Sequence, residues 1–91
     1  MDAAREVEEW SVTLTGVPLW LLREYAQEIG GQRGAEDVVR GPDWQLALEQ
    51  AEDYVIGSLR VGRVRLQLTG TPEGVAAARR ALEPKLLRAG G

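Results

Sequence analysis

The stretch Gly62-Arg63-Val64-Arg65-Leu66-Gln67-Leu68-Thr69 decides the fold, because it runs through Gly70-Thr71-Pro72-Glu73-Gly74 into a helical pattern that starts at Val75. Apolar and polar side chains alternate along the first part, as in a strand with one buried face. Thr71 is a suitable N-cap and Pro72 a suitable first helical residue, so we predict a helix near residues 72–82. Pro84 is expected to kink this helix or to end it near Leu82.

Two earlier stretches show the same alternation. Residues 9–15 and 44–48 each place apolar side chains at every second position, which predicts two more strands. Residues 54–56 either continue the second of these past a bulge at Glu52-Asp53 or form a strand of their own. Between the strands predicted at 9–15 and 44–48, apolar residues at helical spacing predict a helix near residues 18–29. Residues 31–43 are expected to be loop, with a short helical turn at 35–40.

The predicted order is β-α-β-β-α. Since every predicted strand has one apolar and one polar face, helices should cover one side of an antiparallel sheet. We therefore predict a single α+β domain over residues 1–91, a ferredoxin-like sandwich with two helices on one face of the sheet. The length of 91 residues is near the lower limit for a core without disulfides or metals.

The composition argues against most catalytic chemistry. The chain has no histidine and no cysteine, which removes the usual general base, the thiolate nucleophile and the commonest metal ligands. We predict that it is not an enzyme and needs no metal or cofactor. The first residues are charged, and the longest apolar run, Val17 to Leu22, is too short to span a bilayer. A cytoplasmic protein without membrane contact is expected.

The net charge of −3 is unevenly distributed. Residues 1–53 carry a net charge of −8 and residues 54–91 a net charge of +5. Either the two halves neutralise each other across one small domain, or the second half presents an anion-binding face. Arg60, Arg63 and Arg65 are the candidate anion-binding or nucleic-acid-binding residues, and Glu49 on the neighbouring strand is a candidate ion-pair partner for the last two.

Trp20 is the candidate interface residue. On a helical wheel it lies opposite the apolar stripe of the predicted helix near 18–29, among charged and polar residues. Tryptophan is enriched at binding hot spots, so an exposed Trp20 favours contact with a partner. The alternative is that the N-terminal arm or the 31–43 segment covers it.

The chain resembles NIL domains, which belong to the ACT-like, ferredoxin-fold ligand-binding group. The resemblance rests on Val12-Thr13-Leu14-Thr15-Gly16, on Ile56-Gly57 through Gly62, and on the glycines and apolar alternation that follow. It implies a dimeric regulatory module that senses a small ligand such as an amino acid. It also requires a last strand formed by residues 86–91.

A second resemblance is to the K-homology RNA-binding domain. Gly31-Gln32-Arg33-Gly34 is similar to the GxxG loop of that family, and the turn and helix from Gly70 are similar to its final strand-helix unit. This resemblance implies that Gln32 and Arg33 contact a nucleic-acid backbone. Nucleic acid is the less favoured partner, since Glu36-Asp37 lies next to the loop.

The final Gly90-Gly91 is similar to the Gly-Gly tails of ubiquitin-like sulfur carriers, which are β-grasp proteins. In those proteins the tail follows a strand, whereas here it follows a predicted helix, and a helix C-cap explains Gly90 equally. The sequence therefore favours a non-enzymatic binding or regulatory module that forms homo-oligomers. The alternative is an RNA-binding domain that uses the Gly31–Gly34 loop.

Overall fold

The computed structural model describes residues 7–89, which form seven elements. In chain order these are β1 (Glu8–Thr15), α1 (Leu19–Glu28), β2 (Gln32–Arg33), β3 (Val38–Arg40), β4 (Trp44–Ile56), β5 (Leu59–Gly70) and α2 (Pro72–Ala89). The α+β class is confirmed. Neither of the two helices is both long enough and apolar enough to cross a membrane.

The strands form one sheet in the order β1-β5-β4-β3-β2, and every neighbouring pair is antiparallel. Both helices pack on one face of this sheet, where the apolar stripes of α1 and α2 meet the alternating residues of β4 and β5. The largest fully buried side chains all belong to this layer: Leu22, Val39, Leu46, Val64, Leu66, Leu68 and Leu82. The predicted alternation of residues 44–48 and 64–68 is confirmed.

Helix α2 begins as the sequence predicts and ends later. The Thr71 Oγ1 accepts a hydrogen bond from the Gly74 N–H at 2.9 Å, which confirms Thr71 as the N-cap with Pro72 in the first turn. Of the two alternatives for Pro84, an end of the helix near Leu82 is wrong, because the helix continues through Pro84 to Ala89. Pro84 removes one N–H donor, to the carbonyl of Arg80, and Arg80 is exposed to water that can replace it. Burial of Leu86 compensates for the local cost.

The predicted loop over residues 31–43 is wrong, and so is its helical turn. This segment contains strands β2 and β3, which pair with each other and extend the sheet from β4. Glu36 and Asp37 both have positive φ, and the Val38 N–H donates to the Ala35 carbonyl at 3.3 Å, as in a type I′ hairpin turn. Two strands of two and three residues are too short to show periodicity in a sequence.

The ferredoxin-like β-α-β-β-α prediction is wrong. The sheet has five strands, and two of them come from the segment without periodicity. The last strand that the NIL-type resemblance requires from residues 86–91 does not form over 86–89, which belong to α2, and the remaining two residues lie outside the described part of the chain. Leu82 and Leu86 lie four residues apart on the buried stripe of α2, so packing on the sheet keeps this segment helical.

The structure also decides between the two readings of residues 54–56. They continue β4, and the pairing register with β5 shifts between Ala51 and Tyr54, so that Glu52 and Asp53 form the bulge. The bulge predicted at these two residues is confirmed. The bulge lies beyond the points where β1 stops pairing with β5 and β3 stops pairing with β4.

Candidate interaction surface

A long hairpin projects from the body of the protein. We call residues 51–63 the hairpin arm; it consists of the end of β4, the start of β5 and the turn between them. Strand β1 pairs with β5 only from Arg63 onwards, and β3 pairs with β4 only as far as Ala47. In the described part of the chain, the outer arm therefore has only its own two strands to pair with. The longest dimension of the molecule is 53 Å, against 25 and 24 Å for the others.

The turn at the tip of the arm is fixed by one glycine. Ile56 and Leu59 form the last pair of the ladder, which leaves Gly57-Ser58 as a two-residue loop. Gly57 has φ +59° and Ser58 has a negative φ, the pattern of a type II′ turn. This turn matches the right-handed twist of the strands, so the arm is a regular hairpin up to its tip.

One face of the arm is apolar and exposed. Tyr54 is paired with Val61 and Ile56 with Leu59, and partners in a ladder share a face. The exposed fractions are 46% for Tyr54, 55% for Ile56 and 60% for Leu59. Because Val61 and Arg63 lie on the same side of β5, this face continues the sheet surface opposite the helices. An isolated two-stranded hairpin is marginally stable in water, and a contiguous exposed apolar patch usually marks a contact site.

Both arginines of the arm contact other residues of the arm. The Arg60 Nη1 lies 3.5 Å from an Asp53 carboxylate oxygen, and the Arg63 Nε donates to the Glu52 carbonyl at 2.9 Å. The Arg63 guanidinium also lies 5.9 Å from the centre of the Tyr54 ring. Two acidic and two basic side chains thus give the arm no net charge.

At the base of the arm the structure pairs Arg65 with Glu49. Their side chains lie 3.7 Å apart on adjacent residues of β4 and β5, as the sequence predicted for the polar sheet face. Arg60, Arg63 and Arg65, the three arginines proposed as an anion-binding patch, therefore each lie beside a carboxylate or a carbonyl oxygen. Pairs this exposed contribute little to stability, but they reduce the positive potential available to a nucleic acid.

Trp20 is on the opposite side of the molecule, on α1. It is 56% exposed, so within residues 7–89 neither of the predicted covering segments buries it. Residues 1–6 lie outside the described residues, so the structure does not test whether they cover Trp20. A single exposed apolar side chain is common on protein surfaces, whereas a patch of three such side chains, like that of the arm, is less so.

Gln32 and Arg33 lie on β2, at the far edge of the sheet from β1, and both are exposed. They line an open groove of about 480 Å³ together with Arg40 and the glycines around them. Gly31 packs on the core, where a Cβ atom would overlap Val39. The Gly31–Gly34 segment thus contains strand β2, whereas the K-homology loop joins two helices.

The apolar residues of the arm form a candidate interaction site that was not predicted from the sequence. Tyr54-Val55-Ile56 and Leu59 through Val61 flank Gly57-Ser58, and such runs around a two-residue turn predict a hairpin. Nothing in that pattern says whether the hairpin is covered. Its exposure follows from where β1 and β3 stop pairing, which only the structure shows.

The described residues form no group of three or more metal-ligating side chains and bury no polar or charged residue. The Gly90-Gly91 pair, which the sequence compares with sulfur-carrier tails, lies outside the described residues. Fold and surface together define a small α+β protein whose clearest surface feature is the exposed apolar face of the hairpin arm.

The chain belongs to a known family. The model of the archaeal MoaD-like protein family matches residues 7–91, nearly the whole chain. This family is associated with a β-grasp-like fold, so the resemblances to NIL or ACT-like domains and to K-homology domains are wrong. The regulatory role that the first resemblance implied loses its basis. No curated protein matches the chain.

Proposed function

We propose that this protein is a non-enzymatic binding module that associates with a second copy of itself through the hairpin arm. The observation that carries this proposal is the apolar face of the arm, on which Tyr54, Ile56 and Leu59 are exposed and Val61 is partly buried beside them. Transferring such side chains from water into a contact contributes about 25 cal/mol per Å² of apolar area. The same contact would stabilise a hairpin that otherwise has water on both sides.

The charge of the arm favours a second copy over a charged partner. Glu52 and Asp53 balance Arg60 and Arg63, and their contacts are internal to the arm. Two copies of the arm therefore approach each other without net repulsion, although each whole chain has a charge of −3. A two-fold contact between identical apolar faces is the commonest arrangement of small homo-oligomers.

The test compares two identical substitutions at exposed leucines. Leu59→Lys places a charge on the apolar face of the arm, whereas Leu87→Lys places one on α2, where Leu87 is 74% exposed. Sedimentation equilibrium at micromolar concentrations should show that Leu59→Lys raises the dissociation constant of self-association by about tenfold or more, equivalent to about 1.4 kcal/mol. Leu87→Lys should leave it unchanged. A monomeric unmodified chain, or equal effects of the two substitutions, would contradict the proposal.

The family match favours a second candidate function, since MoaD-like proteins are small and sulfur-carrier-like. In a chain whose carboxyl end is Gly91, ATP would convert the terminal carboxylate to an acyl-adenylate with release of pyrophosphate. Hydrosulfide would then displace AMP and leave a thiocarboxylate. Residues 86–89 form the last turn of α2, so an extended tail of more than two residues would require this turn to unwind.

Mass spectrometry of the intact protein tests this second candidate function. The intact protein is incubated with ATP, an enzyme that adenylates the carboxyl end of sulfur carriers and a sulfide source, and its mass should rise by the exchange of one oxygen for sulfur. A chain with Gly90→Ala and Gly91→Ala is the control. An unchanged mass in both chains would leave the binding module as the supported function. Sensing of a small ligand such as an amino acid stays a prediction, which a thermal-shift screen tests by the stabilisation that binding brings.

A further inference from the structure

Strand β1 forms an open edge of the sheet. The Gly16 N–H donates to the Gly62 carbonyl at 2.9 Å, and this pair continues the register in which Thr15 lies opposite Arg63. Hydrogen-bonded and non-hydrogen-bonded pairs alternate along an antiparallel ladder. The even-numbered residues of β1 therefore bond to β5, and the N–H and C=O groups of Glu9, Ser11, Thr13 and Thr15 point away from the sheet.

Within residues 7–89 no strand lies on the outer side of β1. Natural sheets usually protect a long edge with lysine, proline or a bulge, and β1 is eight residues long with a regular register and none of these. Its one device is the acidic pair Glu8-Glu9 at the beginning of the strand. The middle of the edge, at Ser11 and Thr13, is uncharged and exposed.

We propose that β1 pairs antiparallel with β1 of a second copy, with Ser11 opposite Thr13 and Val12 on the two-fold axis. This register uses all four outward-facing residues, whereas a shift of two residues in either direction leaves one of them without a partner. It also places Glu9 opposite Thr15, so the acidic ends of the two strands lie far apart. The pairing joins the two sheets into one continuous sheet.

The side chains of β1 on the helix face support this pairing. Trp10, Val12 and Leu14 are only partly buried and pack at the margin of the core. In the proposed register Trp10 lies opposite Leu14 of the second copy, so that apolar side chains meet apolar side chains. Beside Trp10, an open groove of about 320 Å³ with a mostly charged lining lies between β1 and α2. The Arg79 guanidinium lies 4.6 Å from the centre of the Trp10 ring, so one face of the indole is already covered and its edge toward the second copy is the part that Leu14 would meet.

This contact is separate from the hairpin arm and does not depend on it. Residues 9–15 pair along the part of β5 that lies within the body, while the outer arm begins beyond Arg63. A chain with both two-fold contacts forms a tetramer when the two axes are perpendicular. Loss of either contact leaves a dimer, and loss of both leaves a monomer.

The experiment uses the Leu59→Lys background, in which the remaining association reports on β1 alone. Ser11→Glu with Thr13→Glu puts carboxylates opposite each other across the two-fold axis and should raise the dissociation constant about tenfold or more. Ser11→Lys with Thr13→Glu differs only at residue 11 and puts opposite charges across the axis. It should associate at least as tightly as the background chain. Equal effects of both pairs of substitutions would overturn the register.

Amide hydrogen exchange in the unmodified chain gives an independent readout. The N–H groups of Ser11 and Thr13 make no bond to β5, so they exchange rapidly in a monomer and slowly when a second strand covers them. Arg33 is the control, because it lies on β2 at the other edge of the sheet. The hydrogen-bonded pair there is Gly34 with Val38, so the N–H of the preceding residue, Arg33, points away from the sheet. Protection of Ser11 and Thr13 that is lost on dilution is the expected result. Exchange as fast as that of Arg33 at every concentration would overturn the proposal, whatever the outcome for the arm.

Discussion

The indole of Trp44 lies directly on the backbone of Gly41, so closely that a Cβ atom at Gly41 would overlap the ring. The Gly41 N–H donates to the Trp44 carbonyl at 2.9 Å, which closes the turn before β4. Trp44 is buried, and on its other side the ring is close to Gly31. Two glycines thus make the space for the one fully core-facing tryptophan in the described residues.

Gly41→Ala should lower the stability of the protein. Its new methyl group must displace the indole of Trp44, and overpacking of this kind costs about 1–3 kcal/mol. Gly62→Ala is the matched control, because the nearest atom to its added Cβ is 3.9 Å away and its φ is not positive. Gly62→Ala should be neutral or stabilise by about 0.5 kcal/mol. Urea denaturation measures both, and equal midpoints would show that Trp44 moves without cost.

Glu36→Gly should raise the stability. Glu36 has φ +56° in the turn between β2 and β3, a conformation that costs about 1–2 kcal/mol for a residue with a Cβ atom. Asp37 has the same conformation but also pairs with Arg23, so it is left in place. Glycine avoids the clash at an entropic cost of about 0.5–1 kcal/mol, and the net gain should be about 0.5–1 kcal/mol. Glu24→Gly in the exposed middle of α1 should instead destabilise by about 1 kcal/mol, and thermal unfolding distinguishes the two.

Trp20→Ala should change neither the stability nor the oligomeric state. Trp20 is 56% exposed and is not part of the hydrophobic core, so its removal should alter the free energy of unfolding by no more than about 0.5 kcal/mol. Tyr54→Ala, in the hairpin arm, should weaken self-association. Sedimentation equilibrium tests both, and weaker association of the Trp20 variant would place the interface on α1.

The protein should not bind short RNA at moderate salt. Arg60, Arg63 and Arg65 lie beside acidic or carbonyl groups of the same sheet, and the whole chain is negative. Fluorescence anisotropy with a labelled single strand measures this. Gln32→Asp combined with Arg33→Asp should have no effect on the signal. Tight binding that this pair of substitutions abolishes would instead give the β2 edge a role in RNA binding.

Two parts of the fold could be predicted from the sequence: the long strands with alternating apolar and polar residues, and the first turn of α2. Val64, Leu66 and Leu68 show which face of β5 is buried, because a strand repeats every two residues. Thr71 and Pro72 show where α2 begins, because their side chains satisfy or remove N–H groups of the first turn. The end of α2 was mispredicted, because the breaking tendency of Pro84 is local whereas the packing of Leu86 is not.

The sequence by itself determined the buried faces of the long strands, the start of α2 and the absence of thiol and imidazole chemistry. Each of these depends on residues that are neighbours along the chain. The tertiary structure alone decided that residues 32–40 join the sheet, that β1 is an open edge and that the hairpin arm extends beyond its neighbours. Those features depend on where separate strands begin and stop pairing, and that is set by long-range contacts that no local pattern encodes.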